Sequence, residues 1–172
     1  MSIDNVLAGV AVKDPTASEH EVSVPPERSS AHHALEVFLG RWQADGWSYG
    51  NPKQKADRQK ALRDEWTSTH EARWHTGNFF LIQVENAVFG PAGSPPFDTL
   101  SIFGVDPQTG RNFVRSFENH GFARLYDAAR SGDVWTLTGA SERARIEFSD
   151  GGKRQTHDWE WRRDGRWLPL FD

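Results

Sequence analysis

Cysteine is absent from this 172-residue chain. That absence excludes disulfides, thiolate metal sites and cysteine nucleophiles. Methionine occurs once and tyrosine twice, so other side chains must supply the aromatic and adaptable packing. No basic block is present: the net charge is −4 and the arginines are scattered. Nucleic acid is therefore not an expected partner, because phosphate recognition needs a clustered positive face. No stretch approaches the roughly 18 apolar residues of a membrane span. The opening segment MSIDNVLAGVAVKD has an early acid and no basic region of the kind that starts a secretory signal. A cytoplasmic protein without a membrane partner is expected. G-x-S-x-G and Gly-rich phosphate loops are also missing, so no nucleophile or nucleotide signature stands out.

What the chain does have is eight Trp and eleven Phe. A few such side chains suffice to line a core or a pocket. Residues 1–30 read as a leader ending in VPPERSS, and residues 31–172 as one domain. Ser30 followed by AHHALEVFLG predicts a short helix, with Ser30 as N-cap and Gly40 as the stop. NPKQKADRQKALRD reads as a loop or one exposed helical turn. Strand patterns then recur at 41–49, 64–75, 78–89, 98–106, 111–119, 122–129, 133–140, 143–149, 153–163 and 166–171. Turn chemistry sits between nearly every pair: DPQTG, ENHG, RSGD, SDGG and RRDG. Ten strands in a meander predict an all-β, antiparallel up-and-down barrel, because closure removes exposed edges. An open sandwich is the alternative.

HEARWH, residues 70–75, begins like a zinc-protease motif, but its second His comes five places on rather than four. A helix would not align the two imidazoles. The surroundings alternate instead. Trp66, Ser68, His70, Ala72 and Trp74 share one face; Glu65, Thr67, Thr69, Glu71 and Arg73 share the other. That is a strand with an aromatic inner face. KRQTHDWEWRR behaves alike, with Gln155, His157, Trp159 and Trp161 on one face. On 111–119, Phe113, Arg115, Phe117 and Asn119 fall together, opposite Val114, Ser116, Glu118 and His120. If the Phe face turns inward, Arg115 enters the interior and needs a partner there.

LEVFLGRW, residues 35–42, the segment LSIFGVDPQTGRNFVRSFENHG, residues 100–121, and the Trp-rich closing strands resemble the lipocalin-like barrels of the calycin superfamily. More specifically they resemble a bacterial family of lipocalin-like domains of unknown function. The resemblance spans about residues 32–171. It implies the barrel, and places Trp42 across the closed end; it carries no settled activity.

The expected function is binding of a small apolar or amphipathic molecule, possibly anionic, in the barrel interior. Ligand contacts are expected from Trp66, His70, Trp74, Phe113, Arg115, Phe117, Asn119, His157, Trp159 and Trp161. Arg115 would anchor an anionic head group, or else pair with Glu118 or Glu85 at the rim. The tryptophans would line a cavity, or else fill the bore. His70 and His157 could instead be hydrogen-bonded within the wall, or act as an acid–base pair in an isomerase- or cyclase-like enzyme. Two further readings are haem held through His157, as in the ten-stranded barrel nitrobindin, and a zinc-like site completed by His120. No metal or other cofactor is expected from the balance of these signals. A homodimer is left open. GPAGSPPF, residues 90–97, reads as a surface loop at the open end, with a lid as the alternative.

Overall fold

The computed structural model describes residues 27–50, 55–90 and 93–172. Of the leader expected over 1–30, residues 1–26 lie outside the described residues, as do residues 91 and 92 of the loop at 90–97. The described chain opens with a one-turn helix, α1 (Ser30–Ala34), which runs into a 3₁₀ turn, Leu35–Phe38. Ser29, not Ser30, is the N-cap, and its backbone N–H donates to His32 Nδ1 at 3.0 Å. Gly40 sits at φ +114°, a conformation that lets the chain leave the turn and enter the first strand.

Ten strands follow: β1 (Gly40–Ser48), β2 (Asp64–Trp74), β3 (Leu81–Phe89), β4 (Pro96–Val105), β5 (Asn112–Glu118), β6 (Ala123–Ser131), β7 (Val134–Gly139), β8 (Glu142–Ser149), β9 (Arg154–Arg163) and β10 (Arg166–Phe171). Each pairs antiparallel with its sequence neighbours, and β1 meets β10 to close the barrel. The up-and-down barrel with a short helix before it is thus the architecture that the alternation and turn chemistry predicted. At the β9–β10 hairpin, Asp164 and Gly165 adopt φ +50° and +75°, left-handed at both central positions, which matches the twist of a tight two-residue turn.

The barrel is not sealed evenly. Adjacent strands from β1 through to β9 share ladders of five to nine paired residues. The closing seam is short: Trp47 and Asp172 exchange backbone hydrogen bonds at 3.0 Å, and Tyr49 N donates to Leu170 O at 2.7 Å. Pro169 removes a donor from β10, and the β9–β10 register shifts between Pro169 and Phe171. Side chains reinforce the seam. Arg58, from the β1–β2 connection, binds Asp158 Oδ1 at 2.7 Å and Asp172 Oδ2 at 2.9 Å, and Tyr49 Oη donates to the same Asp172 carboxylate.

One end is plugged. The 3₁₀ turn drops Phe38 onto Phe103, Trp135 and Phe148, with ring centroids 4.9, 5.2 and 5.1 Å away. Leu35 is fully buried beside it. Trp42 packs against this cluster, and its indole N–H donates to Phe38 O at 3.1 Å. Asn112 Nδ2 ties the helix to β5 through Ala31 O.

Candidate functional site

Above that floor the barrel encloses a cavity of about 380 Å³. Inward alternation on every strand supplies its wall. Six rings form a continuous arc around it, each in contact with the next: Phe97, Phe89, Trp66, Phe171, Trp159 and Tyr126, at centroid separations of 5.4, 6.2, 5.7, 5.2 and 5.6 Å. Trp66 is held in place by its indole N–H, which donates to Asp172 O at 2.9 Å.

Two polar groups interrupt the aromatic lining. The first lies on β2, β3 and β9: Ser68, His70, Glu85, Gln155 and His157. Register sets His70 directly opposite Glu85 on the paired strands. His70 is 8% exposed and Ser68 5%, yet His70 Nδ1 and Ser68 Oγ have no hydrogen-bond partner; nor has Gln155 Nε2. Burial holds the His70 imidazole down at about 4, and burial together with the nearby His70 brings His157 to about 4 as well. Both rings are therefore neutral at pH 7. Glu85 is pushed up by burial, only partly offset by the Ser68 hydroxyl, which lies near its carboxyl but outside hydrogen-bond geometry.

The second group lies on β5, β6 and β8. Arg124 pairs with Glu118 and, through Nε at 2.9 Å, with Glu142; Tyr126 Oη donates to Glu142 Oε2 at 2.8 Å. Burial and the adjacent Glu142 raise the Tyr126 phenol, keeping it a donor. Burial likewise raises Glu118, Arg124 opposing it. The one guanidinium in the lining is thus committed to two carboxylates. The Ser101 and Ser116 hydroxyls, also in the lining, bond each other at 2.8 Å.

Four of the ten residues expected at the ligand line this cavity: Trp66, His70, His157 and Trp159. Trp74 belongs to the plugged end, packed against the core with the Arg28 guanidinium 4.7 Å over its ring. Trp161 lies beyond the cavity wall, its ring 5.7 Å from the Arg163 guanidinium. The remaining four require correction. β5 turns Val114, Ser116 and Glu118 inward, which leaves Phe113, Arg115, Phe117 and Asn119 off the lumen. Arg115 is exposed and rests by the Phe113 ring, so it anchors nothing inside. Asn119 locks the mouth of the β4–β5 pair, accepting from Asp98 N and donating to Pro96 O.

Phe117 joins Phe80, Val84, Leu100 and Leu125 as exposed apolar side chains around the outside of β3–β6. The Phe side of β5 is packed outward because Gly104 leaves room there: a Cβ on it would lie 2.7 Å from the Phe113 ring and 2.9 Å from Phe80.

The inward residues that alternation alone did not single out are Glu85, Arg124, Tyr126 and Glu142. The signal was present in register: Ser116 pairs with Ser101 and Arg124, and β4 has an unambiguous inner face at Phe103. Glu71 points out and pairs with Arg41 at 3.1 Å, as the strand reading of HEARWH requires. His120 stacks on Phe97 at 5.0 Å. Among the described residues no group of three or more His, Asp or Glu side chains is placed to hold a metal. His157 Nε2 lies 2.9 Å from Gln155 Oε1. Phe97, from the segment expected as a loop, is part of β4 and of the cavity wall.

Among the described residues no helix is long and apolar enough to cross a membrane. No protein-family model matches the chain, and no curated protein matches it.

Proposed function

We propose that this protein is a lipocalin-like barrel, of the calycin kind, that binds a small, mainly apolar molecule inside its cavity. One observation carries the reading. A 380 Å³ cavity walled by aromatic rings contains buried polar atoms, Ser68 Oγ, His70 Nδ1 and Gln155 Nε2, that the protein itself leaves unpaired. Buried polar groups ordinarily find partners, so a convergent unpaired set beside apolar walls is what a guest with one polar end would complete. Burial of the guest's apolar surface would supply most of the affinity, at about 25 cal/mol per Å² removed from water. On the same reading the protein acts in the cytoplasm, with a small molecule rather than nucleic acid or membrane as its partner.

Binding has more support than catalysis. His70 and His157 share the cavity, but bases held near 4 are poorly matched to proton abstraction at neutral pH. They are better suited to accept or donate hydrogen bonds as neutral rings.

The test is titration with the neutral fluorophore N-phenyl-1-naphthylamine, read by quenching of the tryptophan emission to which the lining residues Trp66 and Trp159 contribute. Saturable one-to-one binding that persists when the outer patch is made polar (Phe117→Ser with Leu125→Ser) is the expected result. Binding that is non-saturable, or that vanishes with the outer patch, would refute the proposal. Native mass spectrometry of protein purified from its own host would then identify the resident molecule.

A further inference from the structure

The charges around the cavity are unbalanced. Its lining carries three carboxyls, Glu85, Glu118 and Glu142, against one guanidinium, and Arg124 is already bound to Glu118 and Glu142. Among the described residues Glu85 makes no ion pair, although it faces the lumen from the middle of β3. A carboxyl that is partly buried without an opposite charge is costly unless something pairs with it. Its surroundings are specific in kind. His70 stands opposite it on β2, and Ser68 is the next inward residue along that strand. Their Nδ1 and Oγ atoms are the buried, unpartnered ones.

We propose that the cavity selects a guest bearing a primary ammonium group on an apolar body, with the ammonium seated among Glu85, Ser68 and His70. This rests on the reading of the cavity as a binding site and specifies its chemistry. A primary ammonium has three N–H donors and no acceptor. The Glu85 carboxylate, the Ser68 hydroxyl oxygen and the His70 imidazole nitrogen offer it three acceptors on neighbouring strands of the lining. The arc of rings from Phe97 to Tyr126 favours the same guest, since aromatic faces attract cations as well as apolar groups. A carboxylate guest meets the opposite situation. It finds three acids and no uncommitted cation, because Arg115 lies outside the barrel. The burial that raises Glu85 supports the assignment, since an arriving cation would lower it again and displace any proton held there.

Three probes of one shape separate the alternatives: 1-naphthylmethylamine, 1-naphthalenemethanol and 1-naphthoic acid, titrated calorimetrically into the full chain at pH 7. The amine is expected to bind at least about tenfold more tightly than the alcohol, and the acid more weakly than both, as charge-assisted hydrogen bonds exceed neutral ones. In Glu85→Gln, checked for folding by circular dichroism, the amine-to-alcohol ratio should fall below about threefold, the size left once charge assistance is lost. An alcohol or acid that binds as well as the amine overturns the charge preference and leaves the binding reading standing. An amine advantage that survives in Glu85→Gln overturns the placement on Glu85. Failure of all three probes to bind overturns both readings.

Discussion

A buried imidazole is the residue on which the chemistry of this barrel is easiest to measure. Free histidine titrates near 6.5, whereas His70 and His157 are held at about 4. Between those values the unfolded chain takes up protons that the barrel refuses. Stability present above about pH 6.5 should therefore decline as the pH falls towards 4, by up to about 1.4 kcal/mol per pH unit for each ring. Glu85 and Glu118 work the other way, because burial raises them: their unfavourable contribution sets in as the pH rises through the ordinary carboxylate range, which is the low end of the same window. The net decline is thus smaller than the imidazoles alone would give. In His70→Gln with His157→Gln, urea unfolding at pH 4.5 and 6.5 should show a smaller difference than in the parent. An unchanged difference would remove the imidazoles from the account. His70 and His157 were legible as inward residues because each alternates with Trp on a long strand. Glu85 and Arg124 were not, since a charged side chain on an amphipathic strand reads as solvent-facing unless the lumen it enters is polar.

Elements show the same division between what alternation specifies and what it leaves open. All ten strands were legible within a few residues, because several connections carry marked turn chemistry and the strands a period of two. The facing of β5 was not. Period two says which residues share a face but not which face is inside, and the rule that Phe turns inward fails where the lumen needs Ser116 and Glu118 and the outside can cover Gly104 with Phe113. The short β1–β10 seam depends on another glycine. A Cβ at Gly46 would stand 1.7 Å from Asp172 O, so Gly46→Ala must push apart the strands that close the barrel. A loss of about 1–3 kcal/mol in denaturant unfolding is expected, the usual range for overpacking. The plug makes a second element-level case. Phe38 is 2% exposed against three aromatic partners, and Phe38→Ala is expected to cost about 3–5 kcal/mol. A loss below about 1 kcal/mol would mean the barrel closes without its helix.

For the molecule as a whole, the question is whether a barrel that keeps an open interior does so at the expense of packing. A ten-stranded bore is wide enough to stay hollow where a narrower barrel fills with side chains. Here the floor is tightly packed around Phe38 and Trp135, while small residues, Ala44, Ser68, Ala87 and Ser101, keep the space above it clear. Ala87 tests that arrangement well: it is buried, faces the cavity, and pairs with Ser68 and Phe97 on the flanking strands. In Ala87→Leu the added carbons would enter the cavity rather than an already filled core. Each buried methylene contributes about 0.8 kcal/mol, so the unfolding midpoint should hold or rise. Guest affinity should fall at least about tenfold, because the added group takes space and blocks the path between the aromatic arc and Glu85. Opposite movement of the two quantities is the signature of a cavity kept for function. If Ala87→Leu instead lowers stability by more than about 2 kcal/mol, the extra carbons have met packed atoms and the lumen is not the free space a guest requires.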